Sequence, residues 1–141
     1  MEEQTKNGLR MYVEAKDSLG QALSDGNRQL GCAISVNAIA LSALGEEIGG
    51  GASTARMYDC LVASQSRFKR VDAPLPGDII ISPTGTGNGS MPHGHVGIVG
   101  KFGILSNNSE NGLFEEKWKL DSWKEVYGKA GGFPVDFFRV F

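Results

Sequence analysis

The chain has 141 residues and a mass of 15.1 kDa, enough for one hydrophobic core but not two. Hydrophobic residues make up 40% and charged residues 21%, which excludes a disordered chain, and a net charge of -2 excludes the basic surplus that binds nucleic acid. The longest nearly apolar stretch, Ala38 to Leu44, is far short of the roughly 20 residues needed to span a bilayer. Cys32 and Cys60 are too few for a disulfide scaffold and form no CxxC zinc motif. The polar start, MEEQTKNGLR, has no apolar signal-peptide core. The 20 glycines are not periodic; they cluster at Gly49–Gly51, Gly85–Gly94 and Gly128–Gly132 and read as punctuation between elements.

In chain order, Leu9, Val13, the stem of Lys16, Leu19 and Leu23 recur at helical spacing until Asp25-Gly26-Asn27 breaks the pattern. A second helix is expected from Gly31-Cys32, with Val36, Ile39, Ala40, Ala43 and Leu44 on one stripe and Gly45 at its end. Ser53 or Thr54 caps a third, with stripe Met57, Leu61, Ser64 and Phe68. Pro74, Pro76 and Gly77 end the helical part. A strand is then expected over Asp78–Ser82, a Gly/Ser/Thr/Pro loop over 83–94, and strands over His95–Val99 and Ile104–Asn108 around a turn at Gly100–Gly103. The segment from Phe114 to Tyr127 reads as helical or irregular, and Val135–Phe141 as a last strand. Helices followed by an antiparallel sheet give an α+β domain over 1–141, helical to about residue 70 and sheet from about 77.

A thiol becomes nucleophilic near neutral pH when a helix N-terminus or a neighbouring imidazole helps to deprotonate it. Cys32 opens the second helix, where unpaired N–H groups favour a thiolate, and Gly31 lets another group approach closely. The plainer reading is a packed thiol four residues before Val36 on the same stripe. Cys60 lies inside the third helix and reads as structural, although Tyr58-Asp59-Cys60 echoes an Asp-Cys nucleophile motif. The two histidines, His93 and His95, lack the further ligands that a metal needs. His95 opens a strand with Val96 and Ile98 on one face and His95, Gly97 and Val99 on the other. It is the candidate base, and Gly97 leaves room for a substrate beside the ring. Asn107 or Asn108, on the next strand, is the candidate to orient it, against the plainer reading of a turn. Trp118, Trp123 and Tyr127 read either as packing against the sheet or as a carbohydrate-stacking surface.

The order Cys–His–Asn resembles papain-like cell-wall cysteine hydrolases of the NlpC-type and CHAP amidase/endopeptidase families. The segments that carry the resemblance are Leu30–Asn37, Pro74–Ile80 with its Pro76-Gly77-Asp78, Gly94–Val99 and Ile104–Ser109, so it spans about residues 30–109. It implies a papain-like fold and a Cys-His-Asn thiol mechanism without a cofactor. Cys32 is the implied nucleophile, because 63 positions separate it from His95, whereas Gly77 follows Cys60 after only 17. Gly31 replaces the usual acidic or Gln neighbour, and Gln29 or the Cys32 N–H stands in for the oxyanion donor. The implied substrate is bacterial peptidoglycan, with Thr84, Thr86, Asn88 and Ser90 contacting it from the loop. The expected protein is a monomer with neither nucleic-acid nor membrane partners. Without a signal peptide it is expected to leave the cytoplasm through a holin-made hole, as a phage lysin, or by a secretion machine, as an effector paired with an immunity protein. The alternatives are a thiol peptidase, deamidase or acyltransferase on a non-wall substrate, and a non-catalytic carbohydrate-binding module.

Overall fold

The computed structural model describes residues 3–25 and 30–141. Helix α1 (Lys6–Asp17) is capped by Thr5, whose hydroxyl accepts the Gly8 N–H at 2.9 Å. It buries Gly8, Met11 and Ala15, while Leu9 and Val13 are 50% and 55% exposed, so the expected stripe is on the wrong face. The cause is close backbone packing: Gly77, at φ +102°, lies so near the Gly8 carbonyl that a Cβ there would sit 2.0 Å from its oxygen. The helix also stops at Asp17, and Leu19 and Leu23 reach the core from the turn that follows.

Helix α2 (Gly31–Leu44) is apolar on nearly every side and is accordingly buried along most of its length. It ends, as expected, at a left-handed Gly45 (φ +86°). Its one buried amide, Asn37, accepts the Ile48 N–H at 2.7 Å and donates to the Gly51 carbonyl at 3.1 Å, pinning the glycine-rich loop that follows. Helix α3 (Thr54–Ala63) is capped by Ser53 and buries Met57 and Leu61. Phe68, placed by periodicity on this helix, instead opens strand β1 (Phe68–Val71).

Five further strands follow: β2 (Ile79–Ser82), β3 (His95–Val99), β4 (Ile104–Asn107), β5 (Phe114–Trp118) and β6 (Asp136–Val140). They form one antiparallel sheet in the order β1-β6-β2-β3-β4-β5, and the molecule is α+β with helices laid on that sheet. The chain end therefore lies inside the sheet, between β1 and β2. Alternation divides the side chains as expected. Val96, Ile98 and Leu105 face the helices, whereas Ile80, Val99, Ile104 and Phe137 face the other way.

That second face is covered by the segment expected to be helical or irregular. Its first residues, Phe114–Trp118, depart from that expectation by pairing with β4 as strand β5, and the rest runs through a short helix α4 (Leu120–Trp123) into a π-helical stretch, Lys124–Ala130. It packs Trp123, Tyr127 and Phe133 onto the sheet.

Two polar ties close the structure. Asp78 and Arg139 are 0% and 4% exposed and form a double hydrogen-bonded ion pair, Nε to Oδ1 at 3.1 Å and Nη2 to Oδ2 at 2.9 Å. Asp78 also accepts the Leu75 N–H and the Gln4 amide, each at 2.8 Å, so it anchors β2, β6 and the approach to α1. The two ends of the chain meet as well: the Thr5 hydroxyl donates to the Val140 carbonyl and the Asn7 amide to that of Phe141.

Candidate active site

Cys32 sits in the first turn of α2, and α2 crosses β3 and β4 near the head of β3, where His95 stands. Gly31 makes this approach possible. A Cβ on it would lie 2.5 Å from Asn107 Nδ2 and 2.6 Å from Ser24 Oγ, so the helix start nests against the end of β4. The close approach expected at Gly31 is thus filled by the protein itself.

Cys32 and His95 line one cavity of about 270 Å³ together with Asn107, Ser109, Trp118 and Tyr127. Cys32 also borders a second cavity of about 400 Å³ lined by Leu30, Ala52, Ser53, Thr54 and Thr84. Exposed His93 and its buried neighbour Gly94 line both. Cys60 packs at the edge of the helix-side core and borders neither cavity.

The thiol is 7% exposed, and burial raises its pKa above the ordinary value; the N–H groups of Val96, Ala33 and Cys32 itself pull the other way. The resting thiol is therefore protonated. The helix start assists, as expected, but burial outweighs it.

His95 is neutral for the same reason. Burial, with a smaller effect from the positive charge of Lys117, lowers its pKa to about 4. Its ring stacks on Trp123 at 4.9 Å and on Tyr127 at 5.6 Å between centroids. Nε2 pairs with the Ser106 hydroxyl at 3.1 Å. Among the described residues, no hydrogen bond joins His95 to Cys32; they share a cavity as two neutral groups.

The observed partner of His95 is thus Ser106. Asn107 points to the helix side, where its Oδ1 accepts the Ser24 hydroxyl at 3.2 Å. Asn108 belongs to the turn: its amide donates to Glu115 at 2.7 Å and its Oδ1 accepts the Glu110 N–H at 2.9 Å. Ser106 lies beside Gly97 on the face of the imidazole, a consequence of the β3–β4 register that the sequence leaves open. Gly97 does not make room for substrate. A Cβ there would lie 2.7 Å from Ile104 Cγ2 and 3.0 Å from Ser106 Cβ, so its bareness lets β4 close on the ring.

The loop residues expected to touch a glycan are mostly engaged within the protein. Thr86 donates to the Pro83 carbonyl, and Asn88 and Ser90 donate to that of Ala130. Thr84 lines the second of these cavities. Trp123 is fully buried and donates from Nε1 to Ser82 Oγ at 3.1 Å, the packing role expected of it. Half-buried Trp118 and buried Tyr127 pack there too and in addition wall the cavity. Burial, and the Cys32 sulfur beside it, push the Tyr127 phenol pKa up, so its hydroxyl stays protonated. Gln29 lies outside the described residues. Among the described residues no cluster of three or more His, Cys, Asp or Glu is arranged to hold a metal, and no helix is long and apolar enough to cross a membrane.

No family model matches the chain, and no curated protein matches it in sequence.

Proposed function

We propose that the chain is a cysteine-dependent amide hydrolase acting on bacterial peptidoglycan, of the papain-like kind that its cysteine, Pro-Gly-Asp and histidine segments resemble. The observation that supports this reading is the cavity lined by both Cys32, at a helix start, and His95, at a strand head. Two neutral partners suit a concerted step. His95 takes the thiol proton as the sulfur attacks the carbonyl, and delivers it to the departing amine. Ser106 pairs with Nε2 of the ring, and the stacked Trp123 and Tyr127 fix its plane. The backbone N–H of Cys32, in the first turn of α2, is the donor we assign to the developing oxyanion. Water then releases the acyl group. Release as a phage lysin or delivery as an antibacterial effector, acting on the wall, belongs to the same proposal.

Cys32→Ala should abolish release of soluble fragments from purified cell walls, with the far-UV spectrum and Tm retained, while Cys60→Ala lyses normally. The reverse result would transfer the chemistry to Cys60. An unchanged fragment profile from a protein with a reactive Cys32 favours a peptidase, deamidase or acyltransferase on another substrate.

The raised thiol pKa supports a second reading, a binding pocket in which Cys32 only packs. In that case walls treated with the wild type and with Cys32→Ala give the same fragments, and both proteins sediment with the walls.

A further inference from the structure

Helix α1 has an apolar stripe, Leu9 and Val13, but it commits Gly8, Met11 and Ala15 to the core and leaves both stripe residues exposed. Helix α2 packs alongside α1 and is apolar on nearly every side, so it too lacks a polar face for water. Between the two helices lies a groove of about 420 Å³, lined by Leu9, Arg10, Val13 and Glu14 of α1 and by Ser42 and Ala43 of α2. Leu41, next to Ser42 in the chain, is also 51% exposed. None of these residues lines either cavity beside Cys32. In place of the monomer expected from the sequence, we propose that this groove is the interface of a homodimer, in which α1 packs antiparallel to α1 of a second copy across a two-fold axis. The proposal stands apart from the hydrolase reading.

The charges at the groove select a second copy as its occupant. Arg10 and Glu14 are one helical turn apart and so lie on the same side of α1. Among the described residues neither forms an ion pair within the chain, and Arg10 donates only to Asn7 Oδ1 at 3.3 Å. A two-fold axis across an antiparallel helix pair brings equivalent flanks together, with the order of their residues reversed. Arg10 of each copy then stands opposite Glu14 of the other, and Leu9 of each opposite Val13 of the other. Parallel helices would instead set like charges against each other. Exposed ion pairs add little affinity; they fix the orientation, and burial of the Leu9 and Val13 side chains drives association. A face two helices wide is at the small end of specific interfaces, so the dimer is a weak one, populated at about 10–100 μM.

Sedimentation velocity over about 1–300 μM protein tests this, and the wild type should pass from 15.1 kDa to twice that mass as concentration rises. Val13→Glu places a charge in the apolar contact and should weaken association by about 10-fold or more. Arg10→Glu and Glu14→Arg should each weaken it by about 3-fold or more, because like charges then face each other. Mixed one to one, these two variants should form a mixed dimer at least as tight as that of the wild type. Mixing repairs a charge clash between chains but not a folding defect within one, so the rescue identifies the antiparallel contact. Association that Val13→Glu leaves intact, or that mixing fails to restore, overturns the proposal. So does a wild type that stays at 15.1 kDa throughout, and co-sedimentation of that monomer with phosphatidylglycerol vesicles, lost in Val13→Glu, would reassign the face to a lipid surface.

Discussion

At the scale of single residues, Ser106 and Asn107 are neighbours with opposite duties, because alternation sends them to opposite faces of β4. Ser106 touches the imidazole, and Asn107 braces the start of α2 through Ser24 and Gly31. Ser106→Ala should therefore lower kcat by about 10-fold or more with little change in Tm. Asn107→Ala, which leaves the buried Ser24 hydroxyl without that acceptor, should instead cost about 1–3 kcal/mol of stability in a urea titration. The buried, neutral His95 has a pH signature. Its folded pKa of about 4 lies below the ordinary 6.5, so between those values the unfolded chain binds a proton that the folded one refuses. The stabilisation is complete above pH 6.5 and is lost as the pH falls towards 4, by about 3 kcal/mol in all. Urea titrations across that range should show the slope, and His95→Gln should flatten it.

Among the elements, the β3–β4 pair sets the geometry of the site. Gly97→Ala would push its new methyl into Ile104 and Ser106, and should cost about 1–3 kcal/mol and weaken the His95–Ser106 contact. Activity should fall further than stability alone accounts for, measured as kcat at a temperature where the variant is fully folded. The elements also show how much was legible in advance. α2, the span of β3 and its face alternation were plain, since a glycine stop, an apolar run and a period of two are local signals. The face of α1 was not, because it is chosen by the contact between Gly8 and Gly77, which are 69 positions apart. Strand β1 was hidden for a similar reason: it exists by pairing with β6 at the other end of the chain. At the site, Cys32 and His95 were visible as types in context. The hydrogen-bond partner of His95 was not, because an Asn-Asn pair looked more capable than a serine until the register was known.

For the whole molecule, the Asp78–Arg139 pair joins β6 to the entry of its neighbour β2 in the interior. Asp78→Ala strands a guanidinium there and should cost about 3–5 kcal/mol. The double variant Asp78→Leu/Arg139→Met should recover most of that loss, read as the urea midpoint, because an apolar pair leaves no unpaired charge. The Asp of the Pro-Gly-Asp segment is in this view an architectural residue.

The hydrogen bonds that seat Thr5 and Asn7 on the carbonyls of the last two residues have a topological consequence. They hold together residues 135 and 134 positions apart in the chain. A chain rejoined across this contact could be reopened at Gly50, where an added Cβ would meet nothing within 4 Å. Such a permuted chain would begin just upstream of Ala52, and so offers a tether point for a cargo beside the cavity that Ala52 and Cys32 line.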